Sequence, residues 1–168
     1  MLPRENNVVG IVGRNGIGKT TALKVLSGQL IPNLGNFTDK TEWKKVLENY
    51  RGKEAYAFFE KLSLGKLSVS FKPQNVESLS HGKEQKTVLE LLSKIGSTKQ
   101  VDQFISELNL TNILNRTLDQ LSGGELQKIA IAATALKNAD VYFFDEPSSF
   151  LDISERLRVA QFIRKLSE

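Results

Sequence analysis

The chain has 168 residues, 40% hydrophobic and 25% charged, with a net charge of +4. That is enough for one domain with a substantial core. With no cysteine there is no disulfide and no Cys-held zinc or iron–sulfur cluster in this segment, and a single histidine, His81, argues against a His-based metal site. No apolar run approaches the roughly 18 residues of a membrane span. The opening Met1–Asn7 has no signal-peptide core. The expectation is a cytoplasmic protein with no membrane insertion. Acidic and basic residues are mixed along the chain, so a solvated surface explains the excess charge as well as an RNA-rich partner does.

Val8-Val9-Gly10-Ile11-Val12 is an apolar run suited to a strand buried on both faces. A Gly-rich turn follows, then helical spacing from Lys19 to Gln29 through Ala22, Leu23, Val25 and Leu26. Gly28 and Ile31-Pro32-Asn33-Leu34-Gly35 stop it. Asp39 to Leu62 reads as a helical pair opened by an Asp39–Glu42 capping arrangement and broken at Arg51-Gly52. Its aromatic stripe suits a partner surface or, more commonly, a packed core.

Leu67-Ser68-Val69-Ser70-Phe71 alternates as a half-buried strand does. Thr87 to Leu110 predicts two amphipathic helices separated at Gly96-Ser97, one carrying Val88, Leu91, Leu92 and Ile95, the other Val101, Phe104, Ile105 and Leu108. An Ala- and Ile-rich helix follows Leu121-Ser122-Gly123-Gly124-Glu125, and Val141–Phe144 is a buried strand running into Asp145-Glu146. Ser154 to Leu166 predicts a closing helix with Leu157, Ala160, Ile163 and Leu166 inward. Strand, Gly-rich loop, helix, then strands ending in acids is the grammar of a parallel α/β sheet with its ligand at the carboxyl ends.

Gly13-Arg14-Asn15-Gly16-Ile17-Gly18-Lys19-Thr20 fits the phosphate-binding pattern G-x-x-x-x-G-K-[ST]. Amides converging on one spot need a bend that glycine tolerates, and a helix N-terminus adds partial positive charge. Lys19 supplies a cation for the β- and γ-phosphates, and Thr20 supplies a hard oxygen for Mg²⁺. Asp145, at the tip of a buried strand, would also serve Mg²⁺, and Glu146 is placed to orient or deprotonate water. Read alone, the two also allow the less favoured reading of a pair of solvated loop acids. Ser122-Gly123-Gly124 opening a helix is either an ordinary start with Ser122 as N-cap or a second anion-binding surface. In the latter case it caps the γ-phosphate of nucleotide held by a different domain.

Together, Gly13–Thr20, Gln74, Leu121–Glu125 and Asp145-Glu146-Pro147-Ser148-Ser149-Phe150-Leu151-Asp152 resemble the motif set of ABC ATPases. Asn15–Lys19, Pro32–Gly35, Tyr50-Arg51-Gly52, Lys72-Pro73-Gln74 and Asp145–Ser149 resemble, more closely, the first nucleotide-binding domain of the RNase L inhibitor family, ABC subfamily E. The resemblance covers essentially the whole chain. It implies a P-loop core of ABC type with a mainly parallel sheet plus a helical subdomain, truncated at both ends. One nucleotide-binding domain would occupy 1–168, its core over 1–75 and 125–168 and its helical subdomain over 80–124.

The implied ligands are ATP and Mg²⁺. Gly13, Asn15, Gly16, Ile17, Gly18, Lys19, Thr20 and Thr21 would hold the nucleotide, and Ser122, Gly123 and Gly124 would face that of the opposing domain. Thr20, Gln74 and Asp145 would hold the metal, with Glu146 and Gln74 catalytic; the segment ending at Leu151-Asp152 would cross the dimer interface. Implied partners are a second ABC ATPase domain, in the same parent chain or a homodimer, and a ribosomal subunit or translation factors. The family's N-terminal iron–sulfur domain, adenine-stacking aromatic and γ-phosphate histidine have no counterpart here, and His81 is in the wrong place to substitute. The expectation is therefore an excerpt or a reduced protein from an ATP-hydrolysing parent. Two alternatives stand beside it: an ATPase subunit of a membrane transporter, and a truncated nucleotide-binding module without its own turnover.

Overall fold

The computed structural model describes residues 2–36, 40–77 and 86–168. Among these the helices and strands run α1 (Lys19–Leu26), α2 (Trp43–Tyr50), α3 (Ala55–Ser63), β1 (Val69–Lys72), α4 (Val88–Ser93), α5 (Thr98–Glu107), α6 (Gly123–Ala135), β2 (Val141–Phe144) and α7 (Ile153–Lys165). Two short 3₁₀ turns, Thr111–Ile113 and Leu118–Gln120, lead into α6. The expected positions Asp39 and His81 lie outside the described residues.

Helix starts follow local side-chain chemistry. Thr87 with Glu90, Ser97 with Gln100 and Ser122 with Glu125 form reciprocal capping boxes for α4, α5 and α6, each satisfying two amides that the helix cannot. Asp152 caps α7 through the Glu155 amide at 2.9 Å. α1 stops earlier than the sequence suggests: Gly28 takes φ 74°, and its amide turns back to the Val25 carbonyl. The α2–α3 pair closes over its own aromatics, with Trp43, Tyr50 and Phe58 within 5.9 Å of the buried Phe59 ring. The stripe is core packing.

β1 and β2 are parallel, in the register Val69↔Val141 through Lys72↔Phe144. The crossover between them carries α4, α5 and α6, as a parallel connection requires. At the amino ends, the Asp140 carboxylate accepts from the Ser68 amide and hydroxyl, both at 2.7 Å. At the carboxyl ends, the Asp145 amide donates to the Lys72 carbonyl at 3.0 Å and prolongs the ladder. One apolar cluster joins α4, α5, α6 and α7, with Phe104 and Phe162 edge to face at 4.9 Å, a geometry worth about 1 kcal/mol beyond burial.

Three expectations are corrected. Val8–Val12 is not a strand: Val8, Val9 and Val12 are 48%, 47% and 98% exposed. A strand of that composition is held by ladders and by cover on its faces, and among the described residues no backbone ladder joins it. β1 alternates in the opposite sense to the one read. Ser70 and Lys72 are its buried residues, while Val69 and Phe71 are half-buried. The polar side chains face inward because each finds an acceptor, Ser70 Oγ on the Thr134 carbonyl at 2.8 Å and Lys72 Nζ on that of Asp145 at 2.9 Å. In α7 the inward face is Val159 and Phe162, with Ile163 and Leu166 beside them. Leu157 is 61% exposed and Ala160 is also outside. A strict three-residue step drifts off a helix face, whereas 159, 162, 163 and 166 follow the 3.6-residue period.

Candidate functional site

The Gly13–Thr20 loop curls as its sequence requires. Gly16 and Gly18 take φ 81° and 98°, a region costly to a side-chain-bearing residue. Gly18 then caps α1, so the helix begins at Lys19 and Thr20. The Lys19 ammonium folds back on the loop, donating to the carbonyls of Gly13 at 2.8 Å and Arg14 at 3.0 Å. The backbone thus holds this cation over its own turn. Asn15, Ile17 and Thr21 are exposed, and Thr20 is half-buried.

Gln74, Asp145 and Glu146 are brought to the carboxyl ends of the parallel pair. Gln74 is exposed in the turn after β1. Asp145 is 2% exposed, and its Oδ2 has no protein hydrogen-bond partner. Nearby Lys72 is wholly buried, and burial lowers its ammonium to a pKa of about 8, against the pull of the Asp145 and Glu146 carboxylates. Glu146 has φ 47°. Its carbonyl accepts from Gln127 Nε2 at 2.7 Å and its carboxylate from Ser149 Oγ at 3.2 Å. Among the described residues no hydrogen bond joins the Gly13–Thr20 loop to Gln74, Asp145 or Glu146.

These groups are tested against Mg²⁺ by the Asp145 oxygen. A buried carboxylate oxygen with no donor is stabilised by a hard cation, and Thr20 and Gln74 add oxygens of the same character. The described residues contain no cluster of three His, Cys, Asp or Glu able to hold a metal.

The other surface centres on the start of α6. Ser122 is the N-cap, its hydroxyl 3.3 Å from the Glu125 amide, while Glu125 accepts from the Ser122 amide at 2.8 Å. These bonds to Ser122, the backbone amide foremost, hold the Glu125 carboxyl below its ordinary pKa. An open surface depression lies against Ser122, Gly123, Gly124, Lys128, Phe150 and Asp152. A methyl placed on Gly124 would stand 2.9 Å from the Phe150 carbonyl oxygen, so the helix start and the 150–152 segment touch through backbone. Below them, buried Lys128 pairs with Glu155 at 3.2 Å.

Sequence reasoning missed Lys72, Gln127 and Ser149. The available signal was Lys72 in phase with Ser70 in an alternating strand; Gln127, between Glu125 and Lys128 in the polar first turns of α6, carried none.

The ABC transporter family model matches residues 3–149. The chain belongs to the ABC transporter family. It is an ABC ATPase domain. It is 46% identical over 169 residues to the translation initiation factor RLI1 of Saccharomyces cerevisiae, covering 98% of this chain and 28% of that protein. It is 46% identical over 168 residues to an uncharacterized ABC transporter ATP-binding protein of Methanocaldococcus jannaschii, covering 100% of this chain and 28% of the relative. The archaeal ribosome recycling factor aABCE1, solved in complex with the ribosomal stalk protein aP1, superimposes with a TM-score of 0.91 at 49% identity. That match covers 99% of this ABC ATPase domain and 32% of the solved chain. The domain therefore spans less than a third of these relatives. No helix among its described residues is long and apolar enough to cross a membrane.

Proposed function

We propose that this domain binds Mg-ATP and works as one half of an ATP-driven clamp in a cytoplasmic ribosome-recycling or translation factor. The observation that carries the reading is the buried Asp145 oxygen without a protein donor, at the end of a strand that leads directly into Glu146. The likeness to RLI1 and aABCE1 supplies the biological setting. Residues 1–75 and 125–168 form the catalytic core in this reading, and 80–124 the helical subdomain.

Gly13, Asn15, Gly16, Ile17 and Gly18 present backbone to the phosphates, and Lys19 leaves the Gly13 and Arg14 carbonyls to meet them. Thr21 lines the same helix start. Thr20, Asp145 and Gln74 hold Mg²⁺, which when bound neutralises phosphate charge. Glu146 accepts a proton from the attacking water, and Gln74 orients that water. Ser122, Gly123 and Gly124 meet the nucleotide of a second ABC domain, with the Phe150–Asp152 segment alongside. Closure of the two domains does mechanical work on a ribosomal subunit, and hydrolysis reopens them. In the full-length protein, ATP turnover should rise on adding ribosomal subunits and fall at least about a hundredfold in Glu146→Gln. A rate indifferent to ribosomal subunits would refute the recycling assignment.

A second reading applies to the 168-residue chain by itself: it holds nucleotide without turnover. The exposure of Val8, Val9 and Val12 favours it, because the segment feeding the phosphate loop is not anchored in the sheet. Equal hydrolysis by the purified chain and its Glu146→Gln variant would support this reading.

A further inference from the structure

We infer that Gln127 is a positioning residue for Glu146, holding the base's backbone in a conformation it would not keep unaided. The inference rests on the proposed role of Glu146 and goes one residue beyond it.

Gln127 lies in α6 and is wholly buried. A buried amide is costly unless it is bonded. Its Nε2 donates to the Glu146 carbonyl at 2.7 Å; the reverse orientation of the amide would set two acceptors at that distance. Glu146 is in the left-handed region, at φ 47°, where a residue with a side chain persists only if its surroundings hold it. Pro147 follows directly and narrows its backbone further.

Three bonds secure the residue. Its carbonyl takes the Gln127 donor and the Ser149 amide, the latter at 3.3 Å, and Ser149 Oγ holds the carboxylate. Of the three, only Gln127 comes from another element; Ser149 moves with the turn it bonds. Without the Gln127 donor the backbone at 146 is free to relax toward negative φ, which redirects the side chain. A displacement of about 1 Å at a reacting group costs on the order of a hundredfold in rate. Gln127 also sits about 7.5 Å along α6 from Ser122, at 1.5 Å per residue, so the phosphate-facing helix start and the hold on the base share one rigid element.

The test uses the full-length protein with Gln127→Met, which keeps length and burial and removes the donor. Expected are a kcat at least tenfold lower, affinity for a fluorescent ATP analogue within twofold of wild type, and an unchanged far-UV spectrum. In a Glu146→Gln background, adding Gln127→Met should change the residual single-turnover rate less than twofold, since its effect passes through Glu146. Should Gln127→Met not fold, the volume-matched Gln127→Glu carries the same expectations at pH 8. An unchanged kcat, a parallel loss of affinity and kcat, or an equal fold-loss in the Glu146→Gln background would overturn the inference. If Glu146→Gln strongly lowers turnover while Gln127→Met does not, the positioning role alone fails. If Glu146→Gln turns over at the wild-type rate, the base assignment fails and takes this inference with it.

Discussion

Lys72 Nζ lies 2.9 Å from the backbone carbonyl of Asp145, with the lysine wholly buried. A side chain of β1 thereby ties down the end of β2 where the two strands part. The ladder bond from the Asp145 amide to the Lys72 carbonyl runs the other way at 3.0 Å, so the two residues hold each other reciprocally. Burial alone would make a lysine here costly, and the carbonyl with the neighbouring carboxylates offsets that cost.

Lys72→Met keeps most of the apolar stem but leaves the Asp145 carbonyl without its donor. The expected loss is about 1–3 kcal/mol of unfolding free energy, the usual penalty for a stranded buried acceptor. Urea unfolding of the purified protein at pH 7 measures it, and an unchanged midpoint would show that the bond contributes nothing.

Lys19→Ala should reduce Mg-ATP affinity at least about tenfold, or 1.4 kcal/mol, because charge-assisted bonds to phosphate are among the stronger ones. The fold should hardly notice, since among the described residues the Lys19 ammonium bonds exposed loop carbonyls. Isothermal titration and a thermal melt separate the two effects; unaltered affinity contradicts the assignment of the loop.

Gly124→Ala tests the contact between the start of α6 and the Phe150 segment. The new methyl would meet the Phe150 carbonyl oxygen at 2.9 Å, and Phe150 already sits at φ 62°. Turnover of the full-length protein should fall at least about tenfold, while the chain's own affinity for nucleotide stays within about twofold, because the proposed role of this surface is toward the opposing domain. A variant with wild-type turnover would remove Gly124 from the interface.

Acid stability follows from Glu125. Its folded pKa lies below the ordinary value of 4.5, so its stabilisation is fully present above the unfolded value and disappears as pH falls through the folded one. Glu125→Gln retains an acceptor for Ser122 but does not titrate. Between pH 7 and pH 3 wild type should therefore lose more stability than the variant, by about 1 kcal/mol or less, the scale of a helix cap. Parallel unfolding curves at the two pH values would show that the bonds to Ser122 do not distinguish the two protonation states.

The chain's own residues determined whatever depends on near neighbours. Gly16 and Gly18 took the positive φ that the bend of their loop uses, Ser122 became an N-cap because Glu125 stands three residues on, and the α4 and α5 faces fell where their periodicity placed them. Tertiary structure decided the rest. Ser70 and Lys72 point inward because Thr134 and Asp145, each more than sixty residues away in sequence, offer carbonyls. The α7 face turned to Val159 and Phe162 because Phe104 of α5 packs there. Val8–Val12 stayed outside the sheet, although its composition suits a strand, because a strand exists only where a neighbour completes its ladder. Local propensity is written in adjacent residues; a partner for a buried polar group or an open sheet edge is supplied only by the folded chain.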